Sequence, residues 1–167
     1  DHLKNLSKVG GGGDNQPLGP HAWYPAVYDY VELAFREARR SCPGCKLYYN
    51  DYNAEGAGGP GHFKVKSDRI YELALGLLEL GNVGGRPLID GVGFQGHFGL
   101  EKGRRPSIAG IKANIDRFAN LGLEVQITEA DIKIPPPWTE EKELEQAKLY
   151  AEVFNACWEE PKCTAFW

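Results

Sequence analysis

The sequence predicts an α/β fold organised around a parallel β-sheet. Segments with helical periodicity alternate with short apolar segments rich in β-branched and aromatic residues, and that alternation is typical of parallel sheets. The strand segments begin about 35 to 45 residues apart, which leaves room for one helix in each crossover. Two architectures fit this pattern: a doubly wound sheet and part of an eight-stranded barrel. Four strands cannot close such a barrel, which typically needs about 250 residues.

Four helices and four strands are predicted, beginning with a helix. They follow residues 1–23, an irregular segment with many Gly and Pro residues. Apolar residues recur at helical spacing in the stretches 27–38, 70–78, 108–118 and 144–154. Strands are predicted at 46–51, 89–97, 125–132 and 163–167. Thr139 is a suitable N-cap for the last helix, because acidic residues follow it in the first turn.

Composition and charge argue against several classes of protein. The 167 residues are 42% hydrophobic and 25% charged, which are ordinary globular values. The net charge is −4 and no basic stripe occurs, so neither nucleic acid nor an anionic membrane is expected as a partner. No apolar run approaches the length of a membrane span. The four histidines show no metal-ligand spacing, so no metal and no cofactor are expected.

The cysteine pattern predicts a secreted protein. Four Cys residues form two close pairs, Cys42/Cys45 and Cys157/Cys163, and an even count in close pairs fits local disulfides. A redox or zinc element is the rival interpretation of Cys42 and Cys45, and a simple Pro-Gly turn is the third. The sequence contains no methionine, and we expect it to be a fragment or a processed product.

Polar side chains appear where each of the first three predicted strands ends. These residues are Asn50 and Tyr52, then Gln95 and His97, then Glu129 and Asp131. Functional groups collect at the carboxyl ends of strands in parallel α/β folds. Residues two apart on a strand share a face, so Gln95 is predicted to point with His97, and Glu129 with Asp131. Carboxylates, amides and an imidazole at one rim suit sugar hydroxyls and acid–base chemistry.

One glycine-rich motif offers an alternative function. The run Gly56–Gly61 matches G-x-G-x-x-G between a strand and a helix, which would indicate a dinucleotide site. The first glycine of that fingerprint belongs directly at the strand end, and four residues intervene here. A Gly-rich connection is the simpler interpretation.

The strand-end motifs resemble those of glycoside hydrolase family 10, the endo-1,4-β-xylanases. The segments 47–53, 91–97 and 127–132 read LYYNDYN, GVGFQGH and ITEADI, and their order and spacing fit that family across residues 24–166. The resemblance implies a TIM barrel of which residues 24–167 form the C-terminal half, namely strands five to eight with their helices. It also implies a Cys157–Cys163 disulfide just before the last strand.

The resemblance implies a retaining hydrolase of xylan or xylo-oligosaccharides. Glu129 corresponds to the nucleophile, which His97 would contact and Asp131 would support through His97. Asn50, Tyr52 and Gln95 correspond to groups that line the sugar cleft. A retaining mechanism also needs a second carboxyl as acid/base. In the family that Glu lies at the end of strand four, in a Trp-Asp-x-x-Asn-Glu motif that is absent from this sequence.

Two functions remain open beside the nucleotide alternative. The first is a xylanase whose acid/base lies in a missing N-terminal half of the barrel, so that the chain alone is expected to be inactive. The second is a degenerate chain that binds carbohydrate without turnover. What precedes Asp1 in the gene would discriminate between them.

Overall fold

Four parallel strands form the central sheet of the computed structural model, which describes residues 27, 29–57 and 61–167. The predicted irregular segment 1–23 lies outside the described residues. The strands are β1 (Tyr48–Asp51), β4 (Gly91–Phe94), β6 (Glu124–Ile127) and β8 (Cys163–Phe166). Their order in the sheet follows their order in the chain. A sequential order with right-handed crossovers places the helices on one face, as in part of a (β/α)8 barrel.

Four helices connect or precede these strands. They are α1 (Tyr30–Ser41), α2 (His62–Glu79), α3 (Ile108–Ala119) and α4 (Glu140–Trp158). Each lies where helical periodicity predicts it, although α2 begins well before the predicted stretch 70–78. The predicted cap of α4 is confirmed, because the Thr139 hydroxyl accepts a hydrogen bond from the Lys142 backbone N–H at 3.3 Å.

The second and third predicted strands are each interrupted. The chain leaves β4 at Phe94 and resumes as β5 (His97–Gly99), and it leaves β6 at Ile127 and resumes as β7 (Asp131–Lys133). β5 and β7 pair with each other in parallel, with His97 opposite Asp131. The prediction of continuous strands 89–97 and 125–132 is therefore wrong. A left-handed residue, Gly96 with φ of 79°, bends the chain before His97.

The core lies between the sheet and the helices. Val92 and Phe94 of β4 are fully buried, as are Ile111, Ile115 and Phe118 of α3. The rings of Phe94 and Phe118 pack edge to face with centroids 5.5 Å apart. Two short strands, β2 (Asn82–Val83) and β3 (Arg86–Pro87), form a hairpin before β4. Because the core fixes β4 and β6 rigidly, it also fixes the residues that follow them.

A buried ion pair secures the amino-terminal end of the sheet. The Arg39 side chain is fully buried and donates hydrogen bonds to Asp90 and to the carbonyls of Pro87 and Cys45. The Asp90 carboxylate also accepts from the Leu47 backbone N–H at 2.7 Å. Burial opposes ionisation of Asp90, but these donors outweigh it and hold its pKa below the ordinary value.

Both cysteine pairs form disulfides. Cys157 and Cys163 join α4 to β8 with Cα atoms 5.2 Å apart, and Cys42 and Cys45 are joined with Cα atoms 5.4 Å apart. Cys42 follows the carboxyl end of α1, where the helix dipole disfavours a thiolate, so the position is unlike that of a redox motif. Among the described helices, none has the length and apolar character needed to cross a membrane.

Candidate active site

The carboxyl ends of the parallel strands meet at one edge of the sheet and bring the predicted site residues together. The side chains found there are Tyr52 after β1, Gln95 and His97 after β4, Glu129 and Asp131 after β6, and Trp167 after β8. Backbone hydrogen bonds link the segments beyond the strands: the Glu129 N–H donates to the Gln95 carbonyl at 2.9 Å, and the Ala130 N–H donates to the Trp167 carbonyl at 2.9 Å.

The His97 ring contacts both Glu129 and Asp131. His97 Nε2 lies 3.3 Å from Glu129 Oε2, and His97 Nδ1 lies 3.1 Å from Asp131 Oδ2. The imidazole therefore stands between two carboxylates, in the order that the resemblance implies. The contact arises through β5 and β7 and not through one continuous strand, because the chain bends at Gly96. All three side chains keep solvent-accessible surface, so a ligand can reach Glu129.

Asn50 supplies a second contact to Glu129. Its Nδ2 donates to Glu129 Oε1 at 3.4 Å, while its Oδ1 accepts from the Thr128 hydroxyl at 2.8 Å. The hydroxyl thus orients the amide so that its donor side faces the carboxylate. Gly93 lies opposite Asn50 in the sheet, and a Cβ at that position would overlap the Asn50 side chain. Glycine is therefore required there to leave room for the amide.

Tyr52 and Gln95 lie beside this centre. Lys66 Nζ stands 3.6 Å above the Tyr52 ring and pairs with Asp51 at 2.7 Å, so a cation–π contact holds the ring from one side. Gln95 is half-buried, and its backbone N–H donates to the Asp51 carbonyl at 3.0 Å. The structure thus places both residues at the same edge as Glu129, while the side-chain contacts to the Glu129 carboxylate come from Asn50 and His97.

Three residues near the site were missed by the sequence prediction. Thr128 orients Asn50, and its position directly before Glu129 in the third motif could have predicted that it lies at the site. Lys66 supports Tyr52 from α2, which only the fold can show. Glu55 is almost completely buried, with 1% exposure, and its carboxyl accepts from the Gly96 backbone N–H at 3.0 Å.

Two groups next to the site have strongly perturbed acidity. Burial raises the pKa of Tyr49, and the neighbouring Asp51 and Tyr30 add to that effect. Tyr49 therefore stays a phenol and donates to Asp51 Oδ2 at 3.2 Å. Burial also raises the pKa of Glu55, against the effect of hydrogen bonds from Gly96 N–H and from its own N–H.

The arrangement suits a carboxylate nucleophile. Glu129 has one oxygen within reach of a ring nitrogen and the other within reach of an amide donor. Contacts on both oxygens fix the direction of the carboxylate. A fixed and accessible carboxylate is the kind of group that attacks an anomeric carbon in retaining glycosidases.

Comparison with known proteins decides the family. The model of glycosyl hydrolase family 10 matches residues 17–167. The chain belongs to glycosyl hydrolase family 10. Its fold is accordingly part of a TIM barrel, as expected. The Gly56–Gly61 run does not begin at a strand end, since β1 stops at Asp51, and Gly58, Gly59 and Pro60 lie outside the described residues. The dinucleotide alternative therefore loses its structural basis.

Relatives of known sequence are named as polysaccharide hydrolases. An endo-1,4-beta-xylanase from Agaricus bisporus is 40% identical over 134 residues, which cover 80% of this chain and 36% of the relative. Endo-1,4-beta-xylanase A from Thermoanaerobacterium saccharolyticum is 36% identical over 143 residues, which cover 85% of this chain and 11% of the relative. The "Exoglucanase XynX" of Acetivibrio thermocellus is 35% identical over 143 residues, which cover 85% of this chain and 12% of that relative.

Solved structures share the fold. Xylanase 10B from Thermotoga petrophila RKU-1, in complex with xylobiose, superposes with a TM-score of 0.77 at 31% identity. The superposition covers 96% of this chain and 44% of that protein. Native xylanase 10B from Thermotoga maritima gives a TM-score of 0.75 at 30% identity, and the superposition covers 96% of this chain and 46% of that protein. The chain therefore spans less than half the length of each of these xylanases.

Proposed function

We propose that the chain supplies the C-terminal half of the catalytic barrel of a retaining endo-1,4-β-xylanase, with Glu129 as the nucleophile. The observation that carries the proposal is the Glu129 carboxylate held between His97 and Asn50 at the carboxyl edge of the sheet. Family membership and relatives named as xylanases support it. A solved relative in complex with xylobiose supports a xylo-oligosaccharide as the ligand.

In the first chemical step, a Glu129 oxygen attacks the anomeric carbon of a xylose unit. The bond from that carbon to the glycosidic oxygen breaks, and an acid protonates the departing oxygen. This acid is expected about 5–5.5 Å from Glu129 in a retaining enzyme, and we assign it to the N-terminal half of the barrel. In the second step water attacks the same anomeric carbon, and the acid/base accepts a proton from that water. The bond from this carbon to the Glu129 oxygen breaks, and Glu129 leaves as a carboxylate.

His97 and Asp131 support that cycle without bonding to the sugar carbon. His97 is placed to donate from Nε2 to Glu129, which stabilises the carboxylate before attack and again as it departs. Asp131 lies at Nδ1, where it fixes the ring orientation. Asn50 donates to the other oxygen of Glu129. Tyr52 and Gln95 line the sugar cleft, where the exposed ring of Tyr52 offers a face for stacking.

The proposal includes an extracellular location. Two disulfides within the described residues support it, because disulfides persist in oxidising compartments. Thiol labelling of the unfolded protein, isolated without reductant, tests the point. We expect no labelled cysteine, and four labelled cysteines would contradict the location.

The function is tested in a complete barrel. The 167-residue chain is combined with strands one to four of the Agaricus bisporus xylanase, and the product is called the assembled barrel below. We expect it to release reducing sugar from xylan in preference to carboxymethylcellulose. The Glu129→Gln variant should lose about 10⁴-fold in kcat or more, because an amide cannot serve as nucleophile or leaving group.

The exposed Glu141→Gln variant is the matched control, and it should retain full activity. If Glu129→Gln stays active, the nucleophile assignment is wrong. If the unaltered assembled barrel binds xylo-oligosaccharides without hydrolysing them, the degenerate carbohydrate-binding alternative is correct.

A further inference from the structure

The buried carboxyl of Glu55 has no role in the chemistry described above. Its side chain is 1% exposed, Oε1 accepts from the Gly96 N–H at 3.0 Å, and Oε2 lacks a hydrogen-bond partner among the described atoms. Leaving a carboxyl oxygen unpaired in the interior is costly. Such a cost is tolerated where the group performs a task, and the task is indicated by what Glu55 holds.

Glu55 holds the peptide that sets the direction of His97. Gly96 has a left-handed φ of 79° and directly precedes His97. Its N–H is bound by Glu55, and its carbonyl accepts from the Asp131 N–H at 3.2 Å. This one residue therefore connects Glu55 to His97 through the chain and to Asp131 through a hydrogen bond.

Glu55 is itself anchored to the helix layer. The Ala54 carbonyl accepts from the Asn114 side chain at 2.8 Å, and the Ala57 N–H donates to the Gly110 carbonyl at 3.0 Å. Asn114 is fully buried and also accepts from the Ser67 hydroxyl at 2.6 Å. The segment around Glu55 is thus fixed on both sides to α3, so its carboxyl is a rigid support for Gly96.

We propose that Glu55 is a positioning residue that keeps His97 between Glu129 and Asp131 by holding the Gly96 N–H. This inference rests on the proposed role of His97. Burial raises the pKa of Glu55. The hydrogen bond from the Gly96 N–H needs only an acceptor oxygen, which a glutamine side chain also provides. The proposed role therefore requires an acceptor oxygen on a side chain of this shape, which glutamine retains.

Two substitutions separate these requirements. Glu55→Gln keeps an uncharged acceptor of the same shape, whereas Glu55→Leu has similar size and no acceptor. Asp90→Asn, at the opposite end of the sheet, is the control for a loss of stability that leaves the site alone. The readouts are the ring ¹⁵N spectrum of His97 in the 167-residue chain, identified by its loss in His97→Gln, and kcat and KM of the assembled barrel.

We expect Glu55→Leu to shift the His97 ring signals and to lower kcat by about 10- to 100-fold with little change in KM, because a displaced group costs rate more than binding. Glu55→Gln should keep the signals and stay within about threefold of the unaltered kcat. If Glu55→Leu lowers stability as Asp90→Asn does but leaves the His97 signals and kcat unchanged, Glu55 is only a core residue. If Glu55→Gln changes as much as Glu55→Leu, an acceptor role is wrong.

Failure of the proposed function is recognised separately. An unaltered assembled barrel that does not hydrolyse xylan refutes the xylanase proposal, while the His97 spectrum of the chain still decides the role of Glu55. If Glu55→Leu does not fold, hydrogen exchange of the Gly96 amide in the unaltered chain tests whether Glu55 holds that N–H. The Gly96 N–H is expected to exchange slowly, and exchange as fast as that of an exposed loop amide overturns the proposal.

Discussion

At the scale of single residues, the account depends on how Glu129 is held. The sequence could predict Glu129, His97 and Asp131, because each follows an apolar strand within an ordered motif. It could not predict the support of Gly96 by Glu55, because that hydrogen bond joins groups 41 residues apart. Residue types at strand ends are visible in a sequence, whereas buried partners from other elements require the fold.

Removal of His97 should be less severe than removal of Glu129. The imidazole stabilises and orients the carboxylate but forms no bond to the sugar. We expect His97→Ala to lower kcat of the assembled barrel by about 10- to 100-fold, against about 10⁴-fold or more for Glu129→Gln. Steady-state kinetics on xylotetraose provide the comparison. A His97→Ala enzyme as inactive as Glu129→Gln would assign the imidazole a direct chemical role.

A substitution at Gly93 should disturb the site through Asn50. The added methyl group of Gly93→Ala would overlap the Asn50 side chain, so the amide must turn away from Glu129. We expect kcat to fall by about tenfold or more, since the carboxylate loses a fixed donor. Gly44→Ala is the control for adding a methyl group, because nothing lies within 4 Å of a Cβ there and its φ is not in the left-handed region. Unchanged kcat in Gly93→Ala would show that the Asn50 contact is dispensable.

At the scale of elements, periodicity identified the four helices and the four strands of the main sheet, but it extended two strands too far. The interruptions are hard to see because a buried apolar residue, Phe98 in β5 or Ile132 in β7, follows each polar strand end within a few residues. The interruption depends on a left-handed Gly96 and on its tertiary partner Glu55. Local sequence carries no record of that contact, so the β5–β7 pair was not foreseen.

The ion pair beneath β4 should make stability depend on Asp90. Asp90→Asn leaves the buried Arg39 charge without its anion, and the loss of one partner of a buried pair costs about 3 kcal/mol in the free energy of unfolding. Urea unfolding of the chain at pH 7 measures the loss, with Glu141→Gln as the exposed control. A change below about 0.5 kcal/mol, as for an ordinary surface substitution, would contradict this account.

The same carboxylate predicts a pH dependence. Its pKa is lowered in the folded state, so its contribution to stability is complete above the ordinary Asp pKa of about 3.9. That contribution is lost as the pH falls through the lowered folded value. Unfolding curves between pH 5 and pH 2 should therefore fall less steeply for Asp90→Asn than for the unaltered chain. Parallel pH profiles would show that Asp90 is not stabilised by its partners.

At the scale of the whole molecule, the described sheet has two open edges. β1 and β8 are the outer strands of the four-stranded sheet, and edge strands present unpaired backbone groups. The solved relatives are more than twice as long as the part that this chain covers. A second half that pairs with β1 and β8 would close the barrel.

The chain alone should hydrolyse xylan only at trace rates. General acid catalysis is worth about 10² to 10⁴ in rate, and the acid is assigned to the N-terminal half. Addition of strands one to four should restore turnover by at least that factor and raise the melting temperature of the chain. Reducing-sugar release with and without the added half measures the effect. Full family-like activity of the chain alone would show that the acid lies within these 167 residues.

A trapped covalent intermediate identifies the nucleophile. The assembled barrel is incubated with dinitrophenyl 2-deoxy-2-fluoro-β-xylobioside, whose leaving group departs without protonation and whose fluorine slows hydrolysis of the ester. Peptide mass spectrometry then locates the attached sugar. We expect one fluoroxylobiosyl ester, on Glu129, and none in Glu129→Gln. An ester on another carboxylate, or an unmodified Glu129 in a barrel that hydrolyses xylan, would contradict this assignment.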